Sequence, residues 1–365
     1  MGWENIEELS SETLREELFA LLSKEKEYAP ITSTSTAGNP QDVDERPSVD
    51  VDPLDETRLA ICQWNYECVD YFMLDREVVY MSMNFFDRYV AAQTATVQRL
   101  RDSNGTPRSA APPLSSMVSH LIALTSLQLA CKLHGQVECP SSGPQRRVKL
   151  RMEDFCHMSR GTYCVAMLED MELSLLTNLQ WKLHPPTPLD FLMRYIKILS
   201  TSLDQAIEDN GQDDVEVHKA ANLESGWSVF EVARYQTELA VYNRDLCQKF
   251  PPSTIALAAT LNAMNSVVVS TRRTVVSSRA RSQFLHQMHS LGGADLQEAD
   301  DIVEARTLLK KLCSKTIILP GKSEEETSSE STEYELPDIQ SFEYDVKDDT
   351  GKTTFSPVSV VAKLS

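Results

Sequence analysis

The stretch Met171-Glu-Leu-Ser-Leu-Leu-Thr-Asn-Leu-Gln-Trp-Lys-Leu-His-Pro-Pro-Thr-Pro-Leu-Asp-Phe-Leu192 decides how this chain folds. Leu168, Met171, Leu175 and Leu179 recur at helical spacing and so share one face of a helix. Pro185, Pro186 and Pro188 forbid that helix to continue, because proline lacks a backbone donor and restricts the residue before it. Thr187 has the chemistry of an N-cap for a second helix, with Pro188 at its first position. The stretch is a helix end, a stop and a new start. It reads as a hinge between two helical units, with the acid Glu172 on the flank of the first.

Working outward, 365 residues leave room for two ordinary domains and tails. Leu, Ala, Met, Glu and Arg are plentiful and only 12 residues are Gly, a composition that favours helices. The net charge of -19 argues against non-specific nucleic-acid binding, which needs clustered Lys and Arg. Cysteines stand at 62, 68, 131, 139, 156, 164, 247 and 313, with no C-x-x-C pair and no His at zinc-finger spacing. They read as small buried thiols in a reducing compartment. The opening Met-Gly-Trp-Glu-Asn has neither a secretory pattern nor the myristoylation pattern. No run of 18 apolar residues occurs, so no membrane span is expected. A nuclear or cytoplasmic location is expected.

Apolar periodicity predicts helices at 11–28, 55–73, 76–91, 116–133, 151–158 and 160–180, with Asp55 and Asp75 as N-caps. Residues 29–53 read as a linker, 93–115 as a polar loop insertion and 134–150 as a second loop. Ala123 and Ala130 would let a neighbour approach closely, which marks 116–133 as a central helix. Beyond the hinge, helices are predicted at 188–202, 222–244, 252–268, 279–290 and 297–313, with an acidic loop at 203–217. Phe250-Pro-Pro-Ser253 opens an Ala-rich helix, the counterpart of 121–130. From Pro320 to Ser365 eleven acids face four bases among many Ser and Thr, the composition of a disordered tail. The expected division is an N-terminal helix and linker (1–54), two helical domains (55–185 and 186–315) and an acidic tail (316–365).

Six motifs now fall in order: Lys26-Glu27-Tyr28, Arg58-Leu-Ala-Ile-Cys-Gln-Trp64, Asn84-Phe-Phe-Asp87-Arg88-Tyr-Val, Leu127-Gln-Leu-Ala-Cys-Lys132, Met171-Glu172 through Trp181 to Thr187, and Phe250-Pro-Pro-Ser253-Thr-Ile-Ala. Each alone is weak. In this order and spacing they resemble the cyclin family over residues 9–313. The resemblance implies an all-α chain of two tandem five-helix cyclin folds, with an N-terminal helix and a disordered acidic tail. It implies a non-catalytic regulatory subunit, without cofactor or metal, that binds and activates a cyclin-dependent Ser/Thr protein kinase in cell-cycle control. By the same resemblance Arg58 and Asp87 form a buried structural ion pair, and Lys132 and Glu172 face the kinase. Ile61, Trp64 and Glu67 match a groove that docks substrates or inhibitors. No nucleic acid or membrane is implied as a partner. The wording from Leu179 to Pro188 resembles G1-type members, although the Leu-x-Cys-x-Glu motif of many D-type members is absent.

The chain departs from the family at three places. Leu133-His134-Gly135 stands where an aromatic-Glu-Glu run is usual. Thr57, Ala60, Ser119 and His120 replace larger apolar groove residues, and the 93–115 insertion is unusual. From pattern alone, Lys132 and Glu172 read as an ordinary solvated pair worth ~0–1 kcal/mol, and Trp64 as core. Two other classes remain open: a two-cyclin-fold transcription factor, which would need a basic face, and a kinase-independent helical scaffold. No phosphate-cradling Gly loop or G-x-S-x-G occurs, and the histidines lack metal-ligand spacing. Ser356-Pro357 and Thr106-Pro107 are minimal proline-directed phosphorylation sites. Arg15-Glu-Glu-Leu18 fits a degradation motif but puts Leu18 on an apolar helix face.

Overall fold

A computed structural model describes residues 11–28, 53–103, 115–134, 150–208, 215–265, 267–268, 273–274, 276–292 and 300–317. The described chain is helical: α1 (Ser11–Tyr28), α2 (Pro53–Tyr71), α3 (Glu77–Ser103), α4 (Ser116–His134), α5 (Met152–Met158), α6 (Val165–Asn178), α7 (Pro188–Glu208), α8 (Val215–Tyr242), α9 (Arg244–Lys249), α10 (Pro252–Met264), α11 (Ser278–Gly292) and α12 (Asp300–Ile317). A minimal antiparallel ribbon pairs β1 (Val267–Val268) with β2 (Arg273–Thr274).

Two units result. In the first, α2 to α6 gather round α4, which packs on each of the other four. Ile122, Ala123, Leu124, Leu127, Leu129 and Ala130 of α4 are buried, and the two alanines leave room for close approach. By length and composition α4 would also suit a bilayer, but two thirds of its most apolar window is buried inside this unit. In the second unit α10 is the centre. Every residue from Ser253 to Met264 is buried, against α7, α8 and α12.

Helix α1 belongs to this second unit, although it precedes the first in sequence. Its Leu14 and Leu18 enter the core with Phe191, Tyr195 and Leu199 of α7. Polar bonds fix the helix further. Glu17 Oε2 accepts from Arg194 Nε at 3.2 Å, and Tyr28 OH accepts from His184 N at 3.2 Å. The Glu25 carboxylate accepts from Ser253 N at 2.8 Å and from Ser253 Oγ at 2.7 Å, and so caps the start of α10 from another helix. Burial raises the Glu25 carboxyl above its usual range, and the bonds from Ser253 pull it back.

The hinge begins the second unit as its residues dictate. Thr187 Oγ1 accepts from Asp190 N at 3.1 Å, and Asp190 Oδ2 accepts from Thr187 N at 3.0 Å, a reciprocal cap at the start of α7. The preceding helix stops earlier than predicted, at Asn178 rather than 180. Gln180 and Trp181 take left-handed φ values of 55° and 59°, and Trp181 N donates back to Leu176 O at 3.0 Å.

Other boundaries also move. Helix α3 continues to Ser103 where a loop was expected from 93, because no Gly or Pro intervenes before Gly105. Helix α6 starts at Val165, not 160: Arg160 and Gly161 sit at φ 52° and 76°, in a turn that Ser159 Oγ braces against Cys156 O and Tyr163 N. Helix α2 starts at Pro53, so Asp55 lies in its first turn rather than at the cap, whereas Asp75 Oδ1 accepts from Glu77 N at 3.0 Å. Helices α7 and α8 extend into the expected acidic loop, and α10 ends at Met264 instead of 268. The short α9, capped by Asn243 Oδ1 on Leu246 N at 2.8 Å, was not foreseen. The linker at 29–52, the cores of the two loops, Thr106, Ser356 and the acidic tail lie outside the described residues.

Replacing Glu25 by Ala leaves two buried donors of Ser253 without an acceptor. The expected loss is about 1–3 kcal/mol in urea unfolding, with Glu25→Gln losing less because one acceptor remains.

Candidate functional site

The first unit is fixed by a charge inside it. Arg58, early on α2, is 1% exposed. Its Nε donates to Asp87 Oδ1 and Oδ2 at 2.9 and 3.1 Å, and its Nη2 to Oδ2 at 2.9 Å. A guanidinium this deep is tolerable only with a paired, hydrogen-bonded carboxylate. About two turns further along α2, Asn65 Nδ2 donates to Ser82 Oγ at 3.1 Å, a second polar tie between α2 and α3.

Arg88, the next residue on α3, turns the other way. Its Nη1 donates to Lys182 O at 2.9 Å and its Nη2 to Leu179 O at 3.3 Å. It thereby binds carbonyls of the turn that follows α6, Leu179 O being shared with Lys182 N, and holds the left-handed turn at Gln180 and Trp181. Tyr89 OH meets Ser174 Oγ at 2.9 Å, and Gln93 Nε2 donates to Asn178 Oδ1 at 3.3 Å. Gln93 lies in the stretch expected to be loop, so the longer α3 has a consequence: it grips α6. The ring of His134 meets Leu183 O at 3.2 Å and holds the same turn from α4.

These contacts position the two groups singled out from the sequence. Lys132 is in the last turn of α4, and Glu172 is on α6. The structure brings them together, Lys132 Nζ to Glu172 Oε1, at 2.7 Å. The lysine side chain is 53% exposed and the glutamate 11%, so the carboxylate is set in the fold while the ammonium stands in water. A lysine ammonium has three donors, and one serves Glu172. Cys131 beside it is inert: burial pushes its thiol up to about 12. Leu133 on α4, Leu173 on α6 and Trp181 in the turn after α6 are exposed apolar side chains.

The trio matched to a docking groove divides. Ile61 and Trp64 are buried, whereas Glu67 is exposed and accepts from Gln63 Nε2 at 3.1 Å. His120 is half-buried, and burial lowers its pKa. The described cysteines are free, Cys62 and Cys68 buried, Cys164 exposed and the others between, so burial is less general than expected. Among the described residues no group of three or more His, Cys, Asp or Glu side chains is placed to hold a metal. Sequence reasoning quoted Arg88 without giving it a role. A cation that caps a helix end 91 residues away leaves no local signal. His134 was noted only as a departure.

Comparison with known proteins follows the same division. Residues 31–184 match the family model for the cyclin N-terminal domain, and 186–316 that for the cyclin C-terminal domain. A putative cyclin-A3-1 of Arabidopsis thaliana is 24% identical over 224 residues, 60% of this chain and 49% of that protein. The G2/mitotic-specific cyclin-B1 of Oryzias javanicus is 23% identical over 202 residues, 55% of this chain and 37% of that one. The matched region thus spans less than half the length of either relative. A solved viral cyclin from herpesvirus saimiri aligns over 72% of this chain and 86% of its own, at 13% identity and a TM-score of 0.45.

Three substitutions separate core from surface here. Asp87→Ala strands the Arg58 charge and is expected to cost about 3–5 kcal/mol of unfolding free energy. Trp64→Ala is expected to cost about 3–5 kcal/mol as a core truncation, whereas Glu67→Ala changes stability by about 0.5 kcal/mol or less. Urea titration followed by circular dichroism reads all three.

Proposed function

The chain belongs to the cyclin family, and from that premise we propose that it binds and activates a cyclin-dependent Ser/Thr protein kinase and has no catalysis of its own. The observation that carries this reading is the Lys132–Glu172 pair: two opposite charges at 2.7 Å, the acid anchored and the base presented to water. Such a pair offers a partner both a carboxylate and spare ammonium donors. Leu133 and Leu173, the residues next to the pair in the chain, add exposed apolar area. Burying those side chains against a partner supplies affinity, and the charges supply register.

Activation then follows from population shift. A subunit that binds the kinase form with its catalytic Lys–Glu pair and activation segment aligned favours that form, by as much as it binds that form more tightly. His134-Gly135 stands where the family usually has two acids at the edge of the site, so the preferred kinase surface is less basic than for relatives that keep them. Docking of substrates or inhibitors on α2 would rest on Glu67, because Ile61 and Trp64 are committed to the core. A nuclear or cytoplasmic place of action and a role in cell-cycle progression belong to the same proposal.

The experiment is co-purification of the full chain with candidate cyclin-dependent kinases, followed by a histone phosphorylation assay. Wild type is expected to retain and activate one kinase, and Lys132→Glu or Glu172→Lys to lose both by tenfold or more. Each reversal sets like charges together at the largely buried Glu172 position, so circular dichroism and urea unfolding must show a folded variant before a loss of binding is read. No kinase retained by wild type, or full activation by the reversed variants, sinks the reading.

A further inference from the structure

From residue 246 to 294 the chain has no Asp or Glu, yet it carries Lys249, Arg272, Arg273, Arg279 and Arg281, in a sequence whose net charge is -19. Two of the basic groups of the second unit converge. Asn262, in the last turn of α10, and Asn265, its C-cap, are an i, i+3 pair, and such side chains are neighbours at roughly 5–6 Å. Each amide carbonyl receives a guanidinium. Arg306 Nε of α12 donates to Asn262 Oδ1 at 3.2 Å, and Arg281 Nη1 of α11 donates to Asn265 Oδ1.

The platform beneath them is built. Asn262 and Gln236 are buried, and Asn262 Nδ2 donates to Gln236 Oε1 at 3.2 Å and to Arg306 O at 3.1 Å. Both arginines are half-exposed, and among the described residues neither has a carboxylate partner. Burial, and then the charge of Arg281, lower the pKa of Arg306, as expected of two cations held together. Relief of the α10 carbonyl dipole is a simpler reason to put cations here. It does not account for the bonds, which run to side-chain amides rather than to the last carbonyls of the helix.

We propose that Arg281 and Arg306 form a binding site for a phosphate group carried on a serine or threonine of a partner polypeptide. Arg306 keeps both terminal nitrogens for a ligand, and Arg281 keeps Nε and Nη2. Two guanidinium forks side by side offer more donors than the two oxygens of one carboxylate use, and match the three oxygens of a phosphate dianion. The choice of a peptide-borne phosphate rests on the kinase-partner reading above, since such a subunit meets phosphorylated proteins. The anion site itself does not, for it shares no residue with Lys132 and Glu172.

The test is fluorescence anisotropy with the full chain and no kinase present. The probe is a short labelled peptide with a single phosphothreonine before proline. Its unphosphorylated twin, a glutamate twin and inorganic phosphate serve as comparisons. The phosphopeptide is expected to bind, with affinity falling as salt rises. Arg281→Gln and Arg306→Gln are expected to weaken it by roughly tenfold or more each, and Lys132→Glu to leave it unchanged. Because Arg306 also holds Asn262, circular dichroism checks each fold and Arg281→Gln decides the matter if Arg306→Gln unfolds. No binding, equal binding of either twin, unchanged affinity in Arg281→Gln, or inorganic phosphate binding as tightly as the phosphopeptide overturns the proposal. Phosphopeptide binding by a chain that retains no kinase would separate this site from the kinase reading.

Discussion

The buried Arg58 guanidinium is the constraint on which the first unit depends. With 1% of the residue exposed, it must have a carboxylate, and Asp87 on α3 supplies one through three contacts of 2.9–3.1 Å. With α2 and α3 so registered, Arg88 reaches the turn that follows α6. Neighbouring residues of opposite charge thus tie three helices, one through an ion pair and one through carbonyls. Helix α6 carries Glu172, so the geometry of the presented pair derives from a charge that never meets solvent.

Both units solve the same packing problem with a central helix that is small and polar rather than uniformly greasy. Thr125 Oγ1 of α4 donates to Leu121 O, and Thr260 Oγ1 of α10 to Ala256 O, both at 2.8 Å. Bonds to the carbonyl four residues back let hydroxyls enter a core without an unpaired group. Alanines next to them bring neighbouring helices close, and dispersion contacts replace the area a larger side chain would bury. The units differ in their polar dependence. The first rests on one ion pair, the second on amides and on Glu25 lent by a remote helix.

The helices and the two-unit division were legible in the sequence because apolar periodicity and proline stops are local signals. Thr187 was legible as a cap for the same reason. The end of α6 was not, since two consecutive non-glycine residues in left-handed backbone, Gln180 and Trp181, contradict their own preferences and hold only through distant partners. The extension of α3 was hidden by composition: from Gln93 to Ser103 most side chains are polar, and a solvated helix and a loop then look alike. Lys132 and Glu172, 40 residues apart, were brought together by resemblance rather than spacing, as were Arg58 and Asp87. Arg281 and Arg306 escaped notice because neither belongs to a motif, and only the fold makes Asn262 and Asn265 their common anchor.

The place of α1 bears on how the chain is made. Its partners Ser253, Arg194 and His184 lie 228, 177 and 156 residues further on. The helix is synthesised well before these partners and has nothing to pack on until they have left the ribosome. At about 5–20 residues per second, that wait is roughly 10–45 s. The intervening unit is contiguous and can close within it. The apolar stripe of Leu14 and Leu18 stays in water meanwhile, so a segment made before the first unit is folded after it and is one that a chaperone would meet.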